Sequence, residues 1–170
     1  MTLLDRILEH YTLPVEGIHG ITHWGRVLEN GRRLAATTGA DPDVIELFAI
    51  FHDSCRRNDG LDRDHGPRAA RLLRQWRDLI GLDEAAFTLL VEACECHTRG
   101  ARPGADTTVL TCLDADRLDI PRVGRRTDPR QLFTAAGRDP DTIEWAALRA
   151  MRRATPAVCA VEWGWSEHAT

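Results

Sequence analysis

The chain of 170 residues contains no hydrophobic run near the roughly 20 residues that a membrane-spanning helix needs. Its first residues, Met1 to Tyr11, lack the basic start and the small-residue cleavage site of a secretory signal. Positive charge is not in excess either, because 22 Lys and Arg residues are outnumbered by 26 Asp and Glu residues. We therefore expect a cytoplasmic protein with neither a membrane nor a nucleic-acid polymer as partner. Local arginines can still hold a small phosphorylated ligand.

Cysteine pairs of the kind that form disulfide frameworks or thiolate zinc sites are also absent. The chain has 5 cysteines, an odd number, and none of them forms a Cys-x-x-Cys pair. We predict that all of them are reduced thiols on helices or in the core, namely Cys55, Cys94, Cys96, Cys112 and Cys159.

Strand-like alternation, internal repeats and low-complexity tracts are missing as well. Apolar residues recur instead at steps of three and four, the period of an amphipathic helix. Predicted helices lie at about 2–11, 22–38, 44–54, 65–80, 83–98, 107–120, 131–136 and 140–154. The second helix is expected to start at an N-cap on Thr22. We predict an all-α bundle that forms one domain over 1–170.

The part of the chain after Pro121 carries no motif with an evident chemistry. A basic, irregular stretch at 122–130 is followed by the predicted C-terminal helices at about 131–170. We expect Trp145, Trp163 and Trp165 to pack this part against the bundle, with a partner surface as the alternative.

An apolar run at 48–51 ends in His52 and Asp53, side by side. His52 follows Ile45 by seven residues and Phe48 by four, so it belongs to the buried face of its helix. A carboxylate beside an imidazole in a core is costly unless a positive charge compensates it, and a metal cation can do so. A two-residue match arises often by chance, so the rest of the chain must supply further ligands.

Three other histidines are predicted at helix ends on apolar faces. His97 follows Leu90 by seven residues, while His23 and His65 stand in the first turns of their helices. A single buried histidine is more often a hydrogen-bonded core residue than a ligand. The combination points to a metal site at one end of the bundle, and imidazole with carboxylate suits zinc, manganese, iron, nickel or cobalt.

The helix predicted at 107–120 offers two candidate carboxylates. At about 100° per residue, Asp116 falls within the apolar sector of this helix and Asp114 falls at its edge. Asp116 is therefore the preferred inward residue. Asp114 stays the alternative, and Asp114, Asp116 and Asp119 could instead form an ordinary solvated helix end.

The ordered set of His23, His52-Asp53 and Asp116, the last in Asp-Ala-Asp-Arg-Leu-Asp, resembles the HD-domain superfamily of metal-dependent phosphohydrolases. The resemblance spans about 18–120 and implies an HD-like helical bundle. It implies that these four residues bind a first metal. It also implies that Asp53 bridges to a second metal held by His65 and His97.

One position departs from the family pattern. HD nucleotidases and guanosine tetraphosphate hydrolases have a catalytic glutamate three residues after the aspartate, where this chain has Arg56. Their substrates therefore cannot simply be transferred. We expect Asp53 to orient a water and Arg56 to neutralise phosphate charge. Further arginines with that second role would be Arg26, Arg99 and Arg122.

The resulting function hypothesis is hydrolysis of a small phosphate ester or nucleotide by a metal-activated water, with one or two divalent transition metals. Two alternatives are an oxygenase with two irons in the same ligands and a non-enzymatic, metal-stabilised ligand-binding protein. His19, four residues before His23, could be an extra ligand, a substrate contact or neither.

Overall fold

The computed structural model describes residues 1–165, which contain helices and no β-strand. The α-helices are α1 (Leu3–His10), α2 (Ile21–Thr38), α3 (Pro42–Phe51), α4 (His65–Gln75), α5 (Glu84–Cys96), α6 (Thr107–Arg117), α7 (Ala135–Arg138), α8 (Pro140–Met151) and α9 (Ala157–Val161). Short 3₁₀ segments lie at Arg77–Leu79, Ile120–Val123 and Pro129–Gln131. The all-α prediction is therefore confirmed. The single domain over 1–170 stays a prediction.

Most helices begin at the side chains that the sequence offers as caps. Asp41, Asp83 and Asp106 each accept a hydrogen bond from a backbone N–H in the first turn of α3, α5 and α6. The predicted cap at Thr22 is wrong, because α2 starts one residue after Gly20. At Gly20 the chain passes so close to the Val15 carbonyl that any Cβ would overlap its oxygen, and a glycine is required there.

The core is centred on α3, whose apolar side chains face neighbours on nearly all sides. Phe48, Ala49 and Phe51 are completely buried. α3 packs against α2, α5 and α6, and α4 covers the outer side of α5. The predicted end of this helix near Ser54 is too late, because α3 ends at Phe51. His52 and Asp53 thus leave the helix at the end of the buried stripe.

The C-terminal helices cover the outside of α2. Gly25 on α2 contacts α9 so closely that an added Cβ would come within 2.7 Å of the Cys159 sulfur. Trp145, Trp163 and Trp165 pack partly buried against the core, as expected. The last five residues of the predicted C-terminal part, 166–170, lie outside the described residues.

Two further points concern the cysteines and membrane-spanning helices. All five cysteines are free thiols, and burial raises the pKa of Cys94 and Cys112, so their thiolates are suppressed. Within residues 1–165, no helix combines the length and the apolar composition that crossing a membrane requires.

Candidate metal centre

Asp53 is the residue on which the predicted ligands converge. Its carboxylate is buried, and its two oxygens face different imidazoles. Oδ1 lies 2.9 Å from His65 Nε2 and 3.7 Å from His97 Nε2. Oδ2 lies 3.6 Å from His23 Nε2 and 3.9 Å from His52 Nε2. The carboxylate is therefore placed between two pairs of histidines, one pair to each oxygen.

The first group of ligand atoms comes from α2, the end of α3 and α6. His23 Nε2 and His52 Nε2 are 3.1 Å apart. Asp116 Oδ1 lies 3.5 Å from the first and 3.8 Å from the second. We call His23, His52 and Asp116 the inner group, because both imidazoles are completely buried. These three side chains are close enough together to hold one ion, and Asp53 Oδ2 lies beside both imidazoles.

The protonation of the inner imidazoles follows from their other ring nitrogens. His52 Nδ1 lies 3.1 Å from the Phe48 carbonyl oxygen and 3.0 Å from that of Ala49, and carbonyls only accept, so Nδ1 donates. His23 Nδ1 donates to Asp119 Oδ2 at 2.7 Å. Burial lowers the pKa of His52 to about 3, so its ring is neutral and its Nε2 carries a lone pair.

The second group, which we call the outer group, is His65 at the start of α4 and His97 just after α5. His65 Nδ1 donates to the Asp62 carbonyl, and His97 Nδ1 donates to the Cys94 carbonyl at 2.7 Å. Their Nε2 atoms approach each other to 2.7 Å. The approach depends on Gly66, where a Cβ would lie 2.5 Å from the Cys94 oxygen and 3.1 Å from the His97 ring. Glycine allows α4 to close against the end of α5.

The contacts among the four histidines and Asp53 are more typical of a cation site than of a hydrogen-bonded network. Because Nδ1 of each of the four rings lies against a carbonyl or carboxylate oxygen, Nε2 is the nitrogen that each ring turns towards the others and towards the carboxylate of Asp53. Donation of the opposite nitrogen to a carbonyl or carboxylate is the usual support of metal-binding histidines. The donor set of imidazole and carboxylate suits a divalent transition metal.

The carboxylates are ionised, as ligation requires. Burial by itself would raise the pKa of Asp53, but the neighbouring His52, His19, His23 and His65 hold it well below the usual range. For Asp116, burial is likewise outweighed by His52, His23 and Arg122, and its pKa falls to about 2. Asp116 is the carboxylate of the cluster that reaches open space, with 22% of its side chain exposed.

Of the two candidate carboxylates on α6, Asp116 faces the histidines and Asp114 does not. Asp114 was expected at the edge of the apolar sector, yet it is completely buried. It points away from the histidines and accepts hydrogen bonds from the Phe133 N–H, the Thr134 N–H and the Thr134 hydroxyl, at 2.7 to 2.8 Å. The segment that enters α7 folds over Asp114, and helical periodicity alone carries no information about that segment.

Asp119 adjoins the cluster, although the sequence suggested that it could be part of a solvated helix end. It is buried, and besides His23 it pairs with Arg26, whose Nε lies 2.8 Å from its Oδ1. Arg26 also donates to the Ala154 carbonyl at 3.0 Å. The guanidinium of Arg26 is thus bonded to other residues of the protein, and it is not free to contact a phosphate in the way that was considered from the sequence. The available signal was the spacing of Asp119, three residues after Asp116 and therefore on the same side of the chain.

His19 joins the cluster from the loop before α2. Its Nδ1 lies 2.9 Å from Asp53 Oδ2 and 3.2 Å from Arg122 Nη2. The Tyr11 hydroxyl donates to the His19 carbonyl at 2.9 Å and holds this loop in place. His19, His23 and Asp53 also satisfy the spacing of a ligand set, so His19 is placed either to bind an ion or to orient Asp53.

Arg56 lies against the central carboxylate. Its Nε donates to Asp53 Oδ1 at 3.0 Å, and its Nη1 donates to the carbonyls of Asn58 and Gly60 at 3.2 and 3.3 Å. Nη2 has no hydrogen-bond partner within residues 1–165, and Arg56 lines the cavity in front of the cluster. The guanidinium is therefore held rigidly with one edge available to a ligand.

The cluster opens into a cavity of about 590 Å³, which we call the main cavity. Asp53, His65, His97 and Asp116 form part of its wall. Five arginines also line it, namely Arg56, Arg63, Arg117, Arg122 and Arg125. Arg122 lines the cavity, whereas Arg99 lies outside it and pairs with Asp64.

Comparison with known proteins places the chain in a family. The HD domain family model matches residues 20–121, which is more than half of the chain. No curated protein and no solved structure matches the chain. The matched segment runs from the start of α2 to the end of α6 and includes all six predicted ligands. The chain therefore belongs to the HD domain family, the all-helical superfamily of metal-dependent phosphohydrolases.

Proposed function

We propose that this protein is a metal-dependent phosphohydrolase that cleaves a small phosphate ester or nucleotide. One observation carries the proposal: Asp53, Asp116 and the outer histidines lie in the wall of a cavity that five arginines also line. A phosphate that enters this cavity meets cationic side chains and the candidate metal ligands together. This combination favours a phosphorylated substrate over the small uncharged molecules that an oxygenase could accept.

The proposed cofactor is one or two divalent transition metals. His23, His52, Asp53 and Asp116 would hold the first ion, and Asp53, His65 and His97 the second. A bound ion supplies Lewis acidity, which generates a hydroxide nucleophile from water near neutral pH and polarises a phosphoryl oxygen. Zinc, manganese, iron, nickel and cobalt all accept this donor set.

The protein's own residues perform the remaining tasks. Asp53 is fixed between the histidine pairs and Arg56, so it can accept a hydrogen bond from the attacking water in a defined direction. Asp116 is ionised and partly exposed to the cavity, and it is the second carboxylate that a substrate water can reach. Arg122 lines the same cavity, and its Nε donates to the Ile18 carbonyl at 2.8 Å, so its guanidinium is positioned to bind the phosphate.

Arg56 replaces the glutamate that serves as general base in related nucleotidases. A cation cannot accept a proton, and in this position it stabilises negative charge instead. Arg56 Nε keeps Asp53 in the ionised form, while the free Nη2 can donate to a phosphoryl oxygen. The proposed role of Arg56 is therefore binding and charge stabilisation, with proton transfer left to the carboxylates Asp53 and Asp116.

The test is metal-dependent hydrolysis of phosphate compounds. Metal-depleted protein is incubated with manganese, zinc, iron, nickel or cobalt and with p-nitrophenyl phosphate or nucleoside phosphates, and release of phosphate is measured. We expect activity that falls more than about 100-fold in His52→Ala. His10→Ala is the matched control, because His10 is an exposed histidine on α1 outside the cluster.

Three results would contradict the proposal. Full activity in folded His52→Ala would remove the metal cluster from the reaction. Iron-dependent oxygen consumption without phosphate release would indicate the oxygenase. Tight binding of a phosphate compound with no cleavage under any metal would indicate a binding protein.

A further inference from the structure

A second chamber adjoins the main cavity on the side away from the histidines. It has a volume of about 220 Å³ and shares four wall residues with the main cavity, namely Arg117, Ile120, Arg125 and Gln131. Its own wall residues come from the loop between the 3₁₀ segments, and none of the cluster residues reaches it. We call it the side chamber. A ligand that spans both spaces would have one end at the cluster and the other among the residues of this loop.

Two cationic side chains of the side chamber are not paired with any other residue of 1–165. Arg125 and Arg126 are exposed and form no ion pair or hydrogen bond with any residue of 1–165. The acidic residue of this chamber, Asp128, is already bonded to Arg130, with Nη2 of Arg130 at 2.8 Å. The positive charge of the chamber is therefore not neutralised from within.

An unpartnered hydroxyl points to a ligand in the same place. Thr127 Oγ1 is shielded from solvent and has no hydrogen-bond partner in the described part of the chain. Such groups are rare in folded proteins, because burying a hydroxyl without a partner costs about 1–3 kcal/mol. Thr127 lines the side chamber. Thr98 Oγ1, in the wall of the main cavity, is unpartnered in the same way. Each space thus has in its wall a threonine whose unpartnered hydroxyl would gain a hydrogen bond by turning towards a bound phosphate.

The backbone around the two arginines is fixed at both ends. Gly124 ends the 3₁₀ segment at Ile120–Val123 with φ of 77°, a left-handed conformation that glycine adopts without strain. On the other side, Asp128 accepts from the Arg130 N–H at 3.0 Å and starts the next 3₁₀ segment. Arg125 and Arg126 therefore extend from a short, anchored loop, which reduces the entropy lost when they bind an anion.

We propose that the side chamber binds a second phosphate group of the substrate, so that the preferred substrates are compounds with two separate phosphates. This inference rests on the proposed function for the phosphate that reacts at the cluster. The second phosphate accepts hydrogen bonds from Arg125, Arg126 and Thr127, and Arg117 lines the passage between the two spaces. Guanidinium groups suit this task because they contact phosphate oxygens bidentately.

The experiment compares two ligands that differ in one phosphate, adenosine 5′-monophosphate and adenosine 3′,5′-bisphosphate. Binding to the metal-loaded protein is measured by calorimetry, and hydrolysis is measured separately by phosphate release. We expect the bisphosphate to bind at least about tenfold more tightly, and this preference to shrink to about threefold or less in Arg126→Gln. Raising the salt concentration should also reduce the preference, because the arginines are exposed.

Two further variants make the comparison specific. Arg152→Gln removes the same charge from an exposed arginine outside both cavities and should keep the tenfold preference. Thr127→Val keeps the side-chain shape without the hydroxyl and should weaken binding of the bisphosphate more than that of the monophosphate.

The outcomes separate this inference from the proposed function. Equal affinity for the two ligands, or a preference that Arg126→Gln leaves intact, would overturn the side-chamber assignment even if both ligands are hydrolysed. A preference that depends on Arg126, without hydrolysis of any phosphate compound, would uphold the side chamber and overturn the proposed function.

Discussion

The inner and outer groups of the candidate metal centre differ in depth. His23 and His52 are completely buried and do not line the main cavity, whereas His65 and His97 form part of its wall. The inner imidazoles lie among α2, α3 and α6, which form the core, and the outer ones belong to α4 and the end of α5. Water and substrate in the cavity therefore meet the outer imidazoles before the inner ones.

The two groups also differ in the residues behind them. In the inner group, His23 donates to the carboxylate of Asp119, which Arg26 also holds. In the outer group, both Nδ1 atoms donate to neutral backbone carbonyls, those of Asp62 and Cys94. When one ring nitrogen of an imidazole donates to a carboxylate, the basicity of the other nitrogen rises more than when the partner is a carbonyl. The more basic nitrogen binds a metal more tightly. The inner group should thus bind its ion more tightly, and the outer group should exchange its ion more readily.

The largest effect is expected from removing one histidine of each group. His52→Ala should abolish the tight ion, while His65→Ala should leave one ion bound, because the inner ligands stay complete. The measurement is metal content after dialysis, by elemental analysis, with thermal melting to show that both variants fold. If His65→Ala loses all metal and His52→Ala keeps a tightly bound ion, the order of the two groups is reversed.

A smaller effect is expected from the two aspartates of α6. Asp116→Asn should weaken metal binding by about 100-fold, because a charged ligand of the inner group becomes neutral. Asp114→Asn is the matched variant: it should lower the free energy of unfolding by about 2 kcal/mol, because an amide cannot accept all the hydrogen bonds of the buried carboxylate.

The readouts for this pair are metal titration and urea denaturation of the metal-free proteins. The assignment of Asp116 over Asp114 would fail if Asp114→Asn weakened metal binding as much as Asp116→Asn.

The smallest effect is expected at Asp119, which does not contact the ion. Asp119→Asn should reduce affinity at the inner group by about 10-fold and leave the outer group unchanged, since His23 loses its carboxylate partner and no histidine of the outer group does. Metal competition titrations with a chelator, performed on the two-metal and one-metal forms, distinguish the groups. Equal weakening of both ions would show that Asp119 acts on the fold as a whole.

Much of the helical framework follows from local sequence, as α3 and α6 illustrate. The caps at Asp41 and Asp106, the apolar period that follows them and the break at Pro121 are all visible in the chain. Errors fall where neighbouring backbone decides the outcome. The N-cap of α2 is Gly20 and not the predicted Thr22, because the Val15 carbonyl occupies the space next to Gly20. The periodicity of the sequence carries no information about that contact.

The surroundings of the arginines could not be read from the sequence. Arg26 and Arg122 were both candidates to neutralise phosphate charge, yet Arg26 is buried against Asp119 and Ala154 whereas Arg122 lines the main cavity. A long, flexible side chain can reach several partners from one backbone position, so its partner depends on the segments that pack around it. Helix faces constrain short ligands such as His52 and Asp53 much more closely.

The sequence by itself determined the helical class, the buried stripe that ends in His52 and Asp53, and the ordered histidines and aspartate that identify the family. These features depend on spacing along the chain, which helical geometry converts directly into shared faces. Only the tertiary structure decided which oxygen of Asp53 faces which histidines, that Asp119 supports His23, and that a side chamber adjoins the main cavity. These features arise between segments distant in sequence, whose relative positions are set by packing and by close contacts such as that at Gly66.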